Sequence, residues 1–370
     1  MKGVVIKSTG SWYEVRHEDG TIIQCRLRGQ FRIKGIKNTN PVVVGDFVQF
    51  ELEKDGNGWI TTIEPRKNYI DRKSTKLSKI SHLIASNIDQ AFLVVTLKEP
   101  RTSLGFIDRF LLAAEGFRIP VCLVFNKIDL YSNVETCCSA SLRDTESNSN
   151  IETCCSASLL KMDSESDVEV LHETALQDME SNSNIETRYG TSQLDTVDEL
   201  EKLYAGIGYQ TLRTSTITGE GIEELKQLMQ GKTVLFSGHS GVGKSALIKA
   251  VAPEMDIKIG DISYVHNKGK HTTTFAQMYR IDAVDGFIID TPGLKEFGLI
   301  QYSKEEIRDY FPEIRQYNNC CRFDNCLHVH EPGCAVLKAV EEGKIPSSRY
   351  LNYLAILQDD DLKIADWKLL

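Results

Sequence analysis

One motif constrains the fold of this chain more than any other feature. Residues 238–245, GHSGVGKS, match the pattern G-x-x-x-x-G-K-S, follow the apolar run TVLFS and precede the helical pattern KSALIKAV. In that strand–loop–helix context the motif predicts a P-loop, whose backbone N–H groups and helix N-terminus hold phosphate oxygens. We expect Lys244 to neutralise the β- and γ-phosphates and Ser245 to coordinate Mg²⁺. The predicted nucleotide-binding residues here are Gly238, His239, Ser240, Gly241, Val242, Gly243, Lys244, Ser245 and Ala246.

A second motif indicates which base is bound. Asn126-Lys127-Ile128-Asp129 follows the apolar run VCLVF, at the carboxyl end of a predicted strand, where α/β sheets bind ligands. The Asp129 carboxylate can accept hydrogen bonds from the N1–H and the exocyclic amine of guanine, whereas adenine offers neither donor there. We expect Asn126 to brace neighbouring loops and Lys127 to cover the base. GTP is therefore preferred over ATP, and a P-loop ATPase or small-molecule kinase is the weaker alternative.

Three further segments complete a guanine-nucleotide site. Asp290-Thr291-Pro292-Gly293 follows the strand-like run GFIID, so Asp290 is expected to hold Mg²⁺ through water and the Gly293 N–H to contact the γ-phosphate. Thr273, within the threonine run 272–274, is the expected switch ligand of Mg²⁺, although which of the three threonines serves stays open. Ser215 and Thr216 are predicted to form a backbone loop over the guanine.

The order of these motifs is unusual. In most GTPases the P-loop comes first, but here NKID (126–129) and TST (214–216) precede the P-loop, the threonine run and DTPG (290–293). This order predicts a circularly permuted domain, which is sterically possible because the termini of compact domains often lie close together. The alternation of strand and helix patterns from residue 88 onward predicts a parallel sheet covered by helices.

Composition excludes several classes of protein. Hydrophobic residues make up 41% and charged residues 26% of the 370, as in soluble globular proteins of two or three domains. No window of about 18 uninterrupted apolar residues exists, so no membrane-spanning helix is predicted. The start, MKGVVIKSTGSWYEV, lacks a secretion signal, and ten unevenly clustered cysteines suggest reduced thiols and a metal site. A cytoplasmic protein without a membrane partner is predicted.

The net charge of −9 hides two opposite regions. Residues 1–80 hold 15 basic and nine acidic residues, whereas residues 133–195 hold 13 acidic and three basic ones. Short β patterns over residues 1–66 predict an OB-fold barrel that binds RNA. Four of its aromatic residues are interpreted as core rather than as platforms for bases: Trp12, Tyr13, Phe31 and Phe47. Residues 66–80 are interpreted as a polar linker.

A repetitive segment interrupts the predicted GTPase domain of residues 67–300. VETCCSASLRDTESNSN is followed by IETCCSASLLKMDSESD, a period of 17 residues, within an acidic insertion over 132–196. A solenoid is possible with three or four copies. Because the segment is rich in Ser, Asn and acidic residues, we favour a flexible or marginally stable surface insertion.

The C-terminal region, residues 301–370, carries a metal-ligand pattern. Three thiols and an imidazole lie within fourteen residues, a set that suits structural Zn²⁺ in a small helical domain. The four predicted ligands are Cys321, Cys326, His328 and Cys334, with Cys320 and His330 as rival ligands.

Together, the OB-like start, the permuted motifs and the pattern C-x4-C-x-H-x5-C resemble the RsgA (YjeQ) family of circularly permuted GTPases. The resemblance implies binding to the small ribosomal subunit and its rRNA, GTP hydrolysis that the subunit stimulates, and release after hydrolysis during late maturation. A monomer with one structural Zn²⁺, and Mg²⁺ bound with GTP, is expected. The family's GRHTTT stands here as GKHTTT, residues 269–274.

The catalytic residues are predicted to be His271, Lys244 and Thr273. Leu294 follows DTPG where many GTPases have a water-orienting Gln, and its side chain cannot form a hydrogen bond, so intrinsic hydrolysis is expected to be slow. His271 is then the candidate that orients water, with a structural or RNA-contacting role as the alternative. A non-catalytic RNA-binding checkpoint that only senses GTP is the rival function.

Overall fold

The computed structural model describes residues 1–9, 11–27, 41–73, 81–131, 196–254, 276–290 and 302–358. The predicted insertion therefore lies outside the described residues except for Thr196, as do His271, Thr273 and Gly293.

The N-terminal strands form a closed barrel. They are β1 (Lys2–Ser8), β2 (Tyr13–His17), β3 (Ile22–Leu27), β4 (Phe47–Leu52) and β5 (Gly58–Ile63). Their order is β1-β2-β3-β5-β4, β4 pairs back to β1, and β3 runs parallel to β5. Alternate side chains such as Val5, Val15 and Ile60 point inward and are fully buried. The predicted OB-like barrel is confirmed.

The aromatic residues of the barrel divide between core and surface. Tyr13 is 1% exposed, as expected for core. Phe47 is 49% exposed, so its core interpretation is wrong. The Arg26 guanidinium lies 3.6 Å from the centroid of the Trp12 ring. Phe31 lies outside the described residues.

The linker interpretation of residues 66–80 is also wrong in part. Strand β6 (Tyr69–Lys73) pairs antiparallel with β7 (Ser81–Ser86) in a separate two-stranded sheet. Arg66, just before β6, forms an ion pair at 2.6 Å with the fully buried Asp46 of the barrel. The Arg66–Asp46 ion pair thus joins the start of this segment to the barrel, and β7 holds β6 by strand pairing. The polar sequence did not reveal either contact.

A parallel sheet follows the barrel. Its strands are β8 (Gln90–Val95), β9 (Val121–Asn126), β10 (Gln210–Thr214), β11 (Thr233–Ser237), β12 (Gln277–Ile281) and β13 (Gly286–Asp290). Their order is β10-β9-β8-β11-β13-β12, and only β12 runs antiparallel to its neighbour in this sheet. Every residue of β8 and β9 is buried, as in sheets covered on both faces. The predicted α/β fold is confirmed.

Helices cover the sheet and follow it. They are α1 (Leu104–Phe117), α2 (Val197–Ile207), α3 (Ile222–Met229) and α4 (Lys244–Val251), then α5 (Lys304–Asp309), α6 (Pro312–Arg315), α7 (Ala335–Glu341) and α8 (Ser347–Gln358). The helical character expected of the C-terminal region is present. Among the described residues, no helix has both the length and the apolar character needed to cross a membrane. The domain limits 1–66, 67–300 and 301–370 stay predictions.

A buried ionic cluster joins α8 to the sheet domain. The Arg349 guanidinium donates to Asp108 of α1 at 2.6 Å and to Glu313 of α6 at 2.6 Å, and each of these three residues is at most 5% exposed. The Tyr204 hydroxyl of α2 donates to the same Asp108 carboxylate at 2.8 Å. Because buried charges are costly unless they are paired, this cluster strongly favours one docked arrangement of the C-terminal helices on α1.

Candidate functional site

The predicted nucleotide motifs meet at one edge of the sheet. β9 ends at Asn126, β10 at Thr214 and β13 at Asp290, and the P-loop begins directly after β11. Because these strands are parallel, their carboxyl ends lie on the same side. Motifs separated by more than 160 residues of chain are therefore brought to one edge of the sheet.

The P-loop requires glycine at two tight positions. Gly238 has φ of 137°, and a Cβ there would lie 2.3 Å from the Val94 carbonyl oxygen of β8. Gly243 has φ of 97°, and a Cβ there would lie 2.3 Å from Nδ2 of Asn126. Both values are in the left-handed region that favours glycine. Helix α4 begins at Lys244, so its N-terminal N–H groups face the loop.

The lysine of the motif folds back over its own loop. The Lys244 ammonium donates to the carbonyl oxygens of Gly238 and His239, each at 2.7 Å. The His239 ring lies against Phe106 of α1, with ring centroids 4.0 Å apart. Burial, and then the nearby Lys244 charge, lower the pKa of His239, so its imidazole is neutral at physiological pH. The contact with Phe106 had no sequence signal, because Phe106 fits an ordinary amphipathic helix.

Asn126 connects the P-loop to the β10 loop. Its Nδ2 donates to the Val242 carbonyl at 2.8 Å, and its Oδ1 accepts from the Thr214 hydroxyl at 3.0 Å. Asn126 is 2% exposed, so both hydrogen bonds are shielded from water. The side chain thus holds the two loops at a fixed separation.

The residues expected to contact guanine also lie together. The Ser215 hydroxyl donates to the Asp129 carboxylate and accepts from the N–H groups of Ile217 and Thr218, each at 3.2 Å. Lys127 has φ of 59°, and its ammonium donates to the Glu99 carbonyl in the loop after β8. Thr216 is exposed beside Ser215. The participation of the Glu99 loop depends on tertiary contact and was not predicted.

The cysteine and histidine cluster forms a second site. The ligand atoms of Cys321, Cys326, His328 and Cys334 all lie within 4.8 Å of one another, and this group can hold a metal ion. The Cys321 and Cys334 sulfurs are 3.9 Å apart, and Nδ1 of His328 is 3.6 Å from the Cys321 sulfur. Sulfur ligands about 2.3 Å from a tetrahedral zinc ion would be separated by roughly 3.8 Å. The four residues therefore fit a tetrahedral ion, and the rivals Cys320 and His330 are both exposed outside the cluster.

Neighbouring groups orient the histidine of this cluster. Nε2 of His328 is 2.9 Å from Oδ1 of Asn318, which leaves Nδ1 facing the sulfurs. Burial lowers the pKa of His328 to about 4, so the ring is neutral, as a metal ligand must be. The hydroxyls of Tyr350 and Tyr353 on α8 donate to the carbonyls of His328 and Leu327, at 2.8 and 2.7 Å. Helix α8 thus contacts both the metal loop and, through Arg349, the sheet domain.

Comparison with known proteins agrees with this geometry. A family model described as RsgA N-terminal domain matches residues 2–60, and one described as RsgA GTPase matches residues 63–177 and 187–300. The chain is 44% identical to a small ribosomal subunit biogenesis GTPase RsgA of Bacteroides fragilis, over 98% of this chain and 97% of that protein. It is 45% identical to RsgA 2 of Bacteroides thetaiotaomicron, with the same shares covered.

Two solved structures resemble nearly the whole chain. YjeQ from Thermotoga maritima is 31% identical with a TM-score of 0.65, and the match covers 96% of each chain. YloQ, described as a circularly permuted GTPase, is 25% identical with a TM-score of 0.61, over 96% of this chain and 93% of that one. The motif order of the sequence and the fold of its neighbours therefore agree.

Proposed function

The chain belongs to the RsgA family of GTPases, and from that premise we propose that it hydrolyses GTP to GDP and phosphate while assisting late maturation of the small ribosomal subunit. Stimulation of hydrolysis by the subunit, and release after hydrolysis, are part of the proposal.

One observation carries the nucleotide assignment. The Asn126 side chain contacts both the P-loop, at Val242, and the β10 loop, at Thr214. Asp129 lies three residues after Asn126 and contacts Ser215, one residue after Thr214. The phosphate end and the guanine end of a nucleotide site are therefore linked through a single side chain. We assign guanine recognition to Asp129, with Lys127, Ser215 and Thr216 around the base.

The phosphates belong at the P-loop. A bound triphosphate would draw the Lys244 ammonium away from the carbonyls of Gly238 and His239, and it would accept hydrogen bonds from the N–H groups of residues 239–246. Magnesium bound with GTP neutralises charge on the phosphates. Ser245, Thr273 and Asp290 are the residues that would hold it. Gly293 would contact the γ-phosphate and His271 would orient the attacking water.

The metal cluster has a structural role in this proposal. Four protein ligands leave no open coordination position for a substrate, which favours structural Zn²⁺ over a catalytic ion. The ligands, Asn318 and the tyrosines of α8 together would stabilise the loop of residues 321–334 against α8.

The partner is the small ribosomal subunit, bound by a monomer in the cytoplasm. In the barrel, the exposed Arg26 guanidinium stacks on Trp12, an arrangement that suits contact with RNA. The relatives named above are small ribosomal subunit biogenesis GTPases, which supports the same partner.

Phosphate release with and without small ribosomal subunits tests the proposal. We expect slow hydrolysis by the chain alone and clear stimulation by subunits. An Asp129→Asn variant should lose GTP and accept XTP, because xanthine carries a carbonyl where guanine carries its exocyclic amine. Absence of stimulation together with tight GTP binding would favour the non-catalytic checkpoint instead.

A further inference from the structure

A cavity of about 570 Å³ lies between the end of α1 and the metal-binding region. Glu115 and Arg118 line it from the α1 side, and Arg308, Asp309, Arg315 and Asn318 line it from the C-terminal side. It lies apart from the P-loop edge of the sheet, since none of the nucleotide-motif residues that the structure describes lines it. The cavity is thus lined by three positively charged guanidinium groups.

Two of the three arginines are balanced within the cavity. Arg308 forms an ion pair with Asp309 at 3.1 Å, and Arg315 forms one with Glu115 at 3.5 Å. The exposed Arg118 side chain has no hydrogen bond or ion pair among the residues that the structure describes. Among the described residues that line the cavity, Glu115 and Asp309 offset two of the three arginines, so the net charge is +1 and belongs to Arg118.

The backbone holds Arg118 in place at this cavity. Arg118 ends α1 in the left-handed conformation, with φ of 57°, and its N–H caps the helix at Ala114 and Glu115. Its carbonyl accepts from the Asn68 side chain at 3.3 Å. The position of the residue is thus set by the fold, while its guanidinium remains available to a ligand.

We propose that this cavity binds one phosphodiester group of ribosomal RNA through Arg118, an inference that rests on the proposed function. One net positive charge matches the single negative charge of a phosphodiester, whereas a free nucleotide would bring a larger uncompensated charge. A guanidinium donates two parallel hydrogen bonds to phosphate oxygens. Arg308 and Arg315 add positive potential at the walls and keep their own carboxylate partners.

The cavity is organised before any ligand arrives. Its two walls belong to distant parts of the chain and are held together by the buried Arg349–Asp108 ion pair at 2.6 Å. Asn318 is fixed by its contacts with Asp309 at 2.9 Å and with the metal ligand His328. Because the walls are already ordered, the main conformational entropy lost when a phosphate binds is that of the Arg118 side chain. RNA bound in this cavity would therefore contact α1 and the C-terminal region together, in their docked arrangement.

Salt-dependent binding of the full chain to small ribosomal subunits tests the assignment. Arg118→Gln should weaken binding roughly three- to tenfold and reduce the slope of log affinity against log salt by about 0.7 to 0.9, the value for one lost phosphate contact. Arg118→Glu should weaken binding further, and Arg118→Lys should keep most of it. The control is Lys202→Gln, which removes one exposed charge on α2 away from the cavity and should change neither quantity.

Zinc content, GTP affinity and the unfolding transition should match the wild type in all four variants, which separates a lost contact from a folding defect. Equal affinity and equal salt slope for Arg118→Gln and the wild type would overturn the inference. Weakened binding to intact subunits but unchanged binding to the deproteinised rRNA would overturn it too, because the occupant would then be an acidic protein group. A wild-type chain that does not bind subunits at all would overturn the proposed function first, and this inference with it.

Discussion

The Asn126 amide donates to the Val242 carbonyl at 2.8 Å, across 116 residues of chain. This hydrogen bond connects the end of β9 to the P-loop, and the Thr214 hydroxyl adds the end of β10 on the other side of the same amide. Because one buried side chain joins two strand ends to the P-loop, we expect nucleotide affinity to depend on residues that do not contact the nucleotide.

Replacing Asn126 with Ala should therefore reduce both affinity and stability. Val242 and Thr214 would each lose a buried partner, at about 1 to 3 kcal/mol per unsatisfied group. We expect at least a tenfold loss of GDP affinity in fluorescent-nucleotide titration and a lower denaturant midpoint. Thr214→Val removes only one of the two hydrogen bonds, so its GDP affinity and denaturant midpoint should lie between those of Asn126→Ala and the wild type. Losses as large as those of Asn126→Ala would argue against this additive account.

A methyl group at Gly243 should abolish nucleotide binding. It would lie 2.3 Å from Nδ2 of Asn126, at a φ of 97° that Ala adopts poorly. Gly206→Ala is the matched control, because a Cβ there meets nothing within 4 Å, and in the helix α2 it should stabilise the fold by up to about 1 kcal/mol. Nucleotide titration and thermal unfolding of both variants provide the measurement. Normal GDP binding by Gly243→Ala would show that the loop relaxes freely.

Arg349→Met should be strongly destabilising. It would leave the buried carboxylates of Asp108 and Glu313 without their cation, a change that typically costs about 3 to 5 kcal/mol. Arg280→Met removes an arginine whose ion pairs with Asp282 and Asp285 are exposed to water, so it should cost less than about 1 kcal/mol. Urea unfolding of both variants measures the loss in the free energy of unfolding. Equal losses would mean that burial of the ionic cluster contributes little to stability.

Metal content should distinguish the two neighbouring cysteines. Cys321→Ser removes a thiolate from the four-ligand cluster and should lower bound zinc well below one ion per chain, with partial loss of the C-terminal fold. Cys320→Ser changes an exposed thiol outside the cluster and should keep one ion. Elemental analysis of the purified variants gives the answer directly. The reverse result would exchange the roles of these two residues.

Features that depend on neighbours in sequence could be predicted correctly. The barrel strands followed from short β patterns, and the α/β sheet from apolar runs such as VCLVF. Spacing alone does not separate Cys320 from Cys321, because both fit the pattern; in the structure Cys321 lies in the four-residue cluster, whereas Cys320 is exposed outside it. Phe47 was misassigned because a strand residue faces the core or the surface according to a register that the tertiary structure sets.

What the amino-acid sequence determined by itself is the chemistry: a phosphate-binding loop, an aspartate suited to guanine, a Cys₃His set and the permuted order of these motifs. Each motif is local, since it depends on residue types within at most fourteen positions, and the order of the motifs is given directly by the chain. Tertiary structure alone decided which distant groups meet. Four features depend on contacts between distant segments, and such contacts stabilise the protein only after the chain has folded. They are the Asn126–Val242 hydrogen bond, the strand pairing of β6 with β7, the buried Arg349–Asp108 ion pair and the cavity beside Arg118.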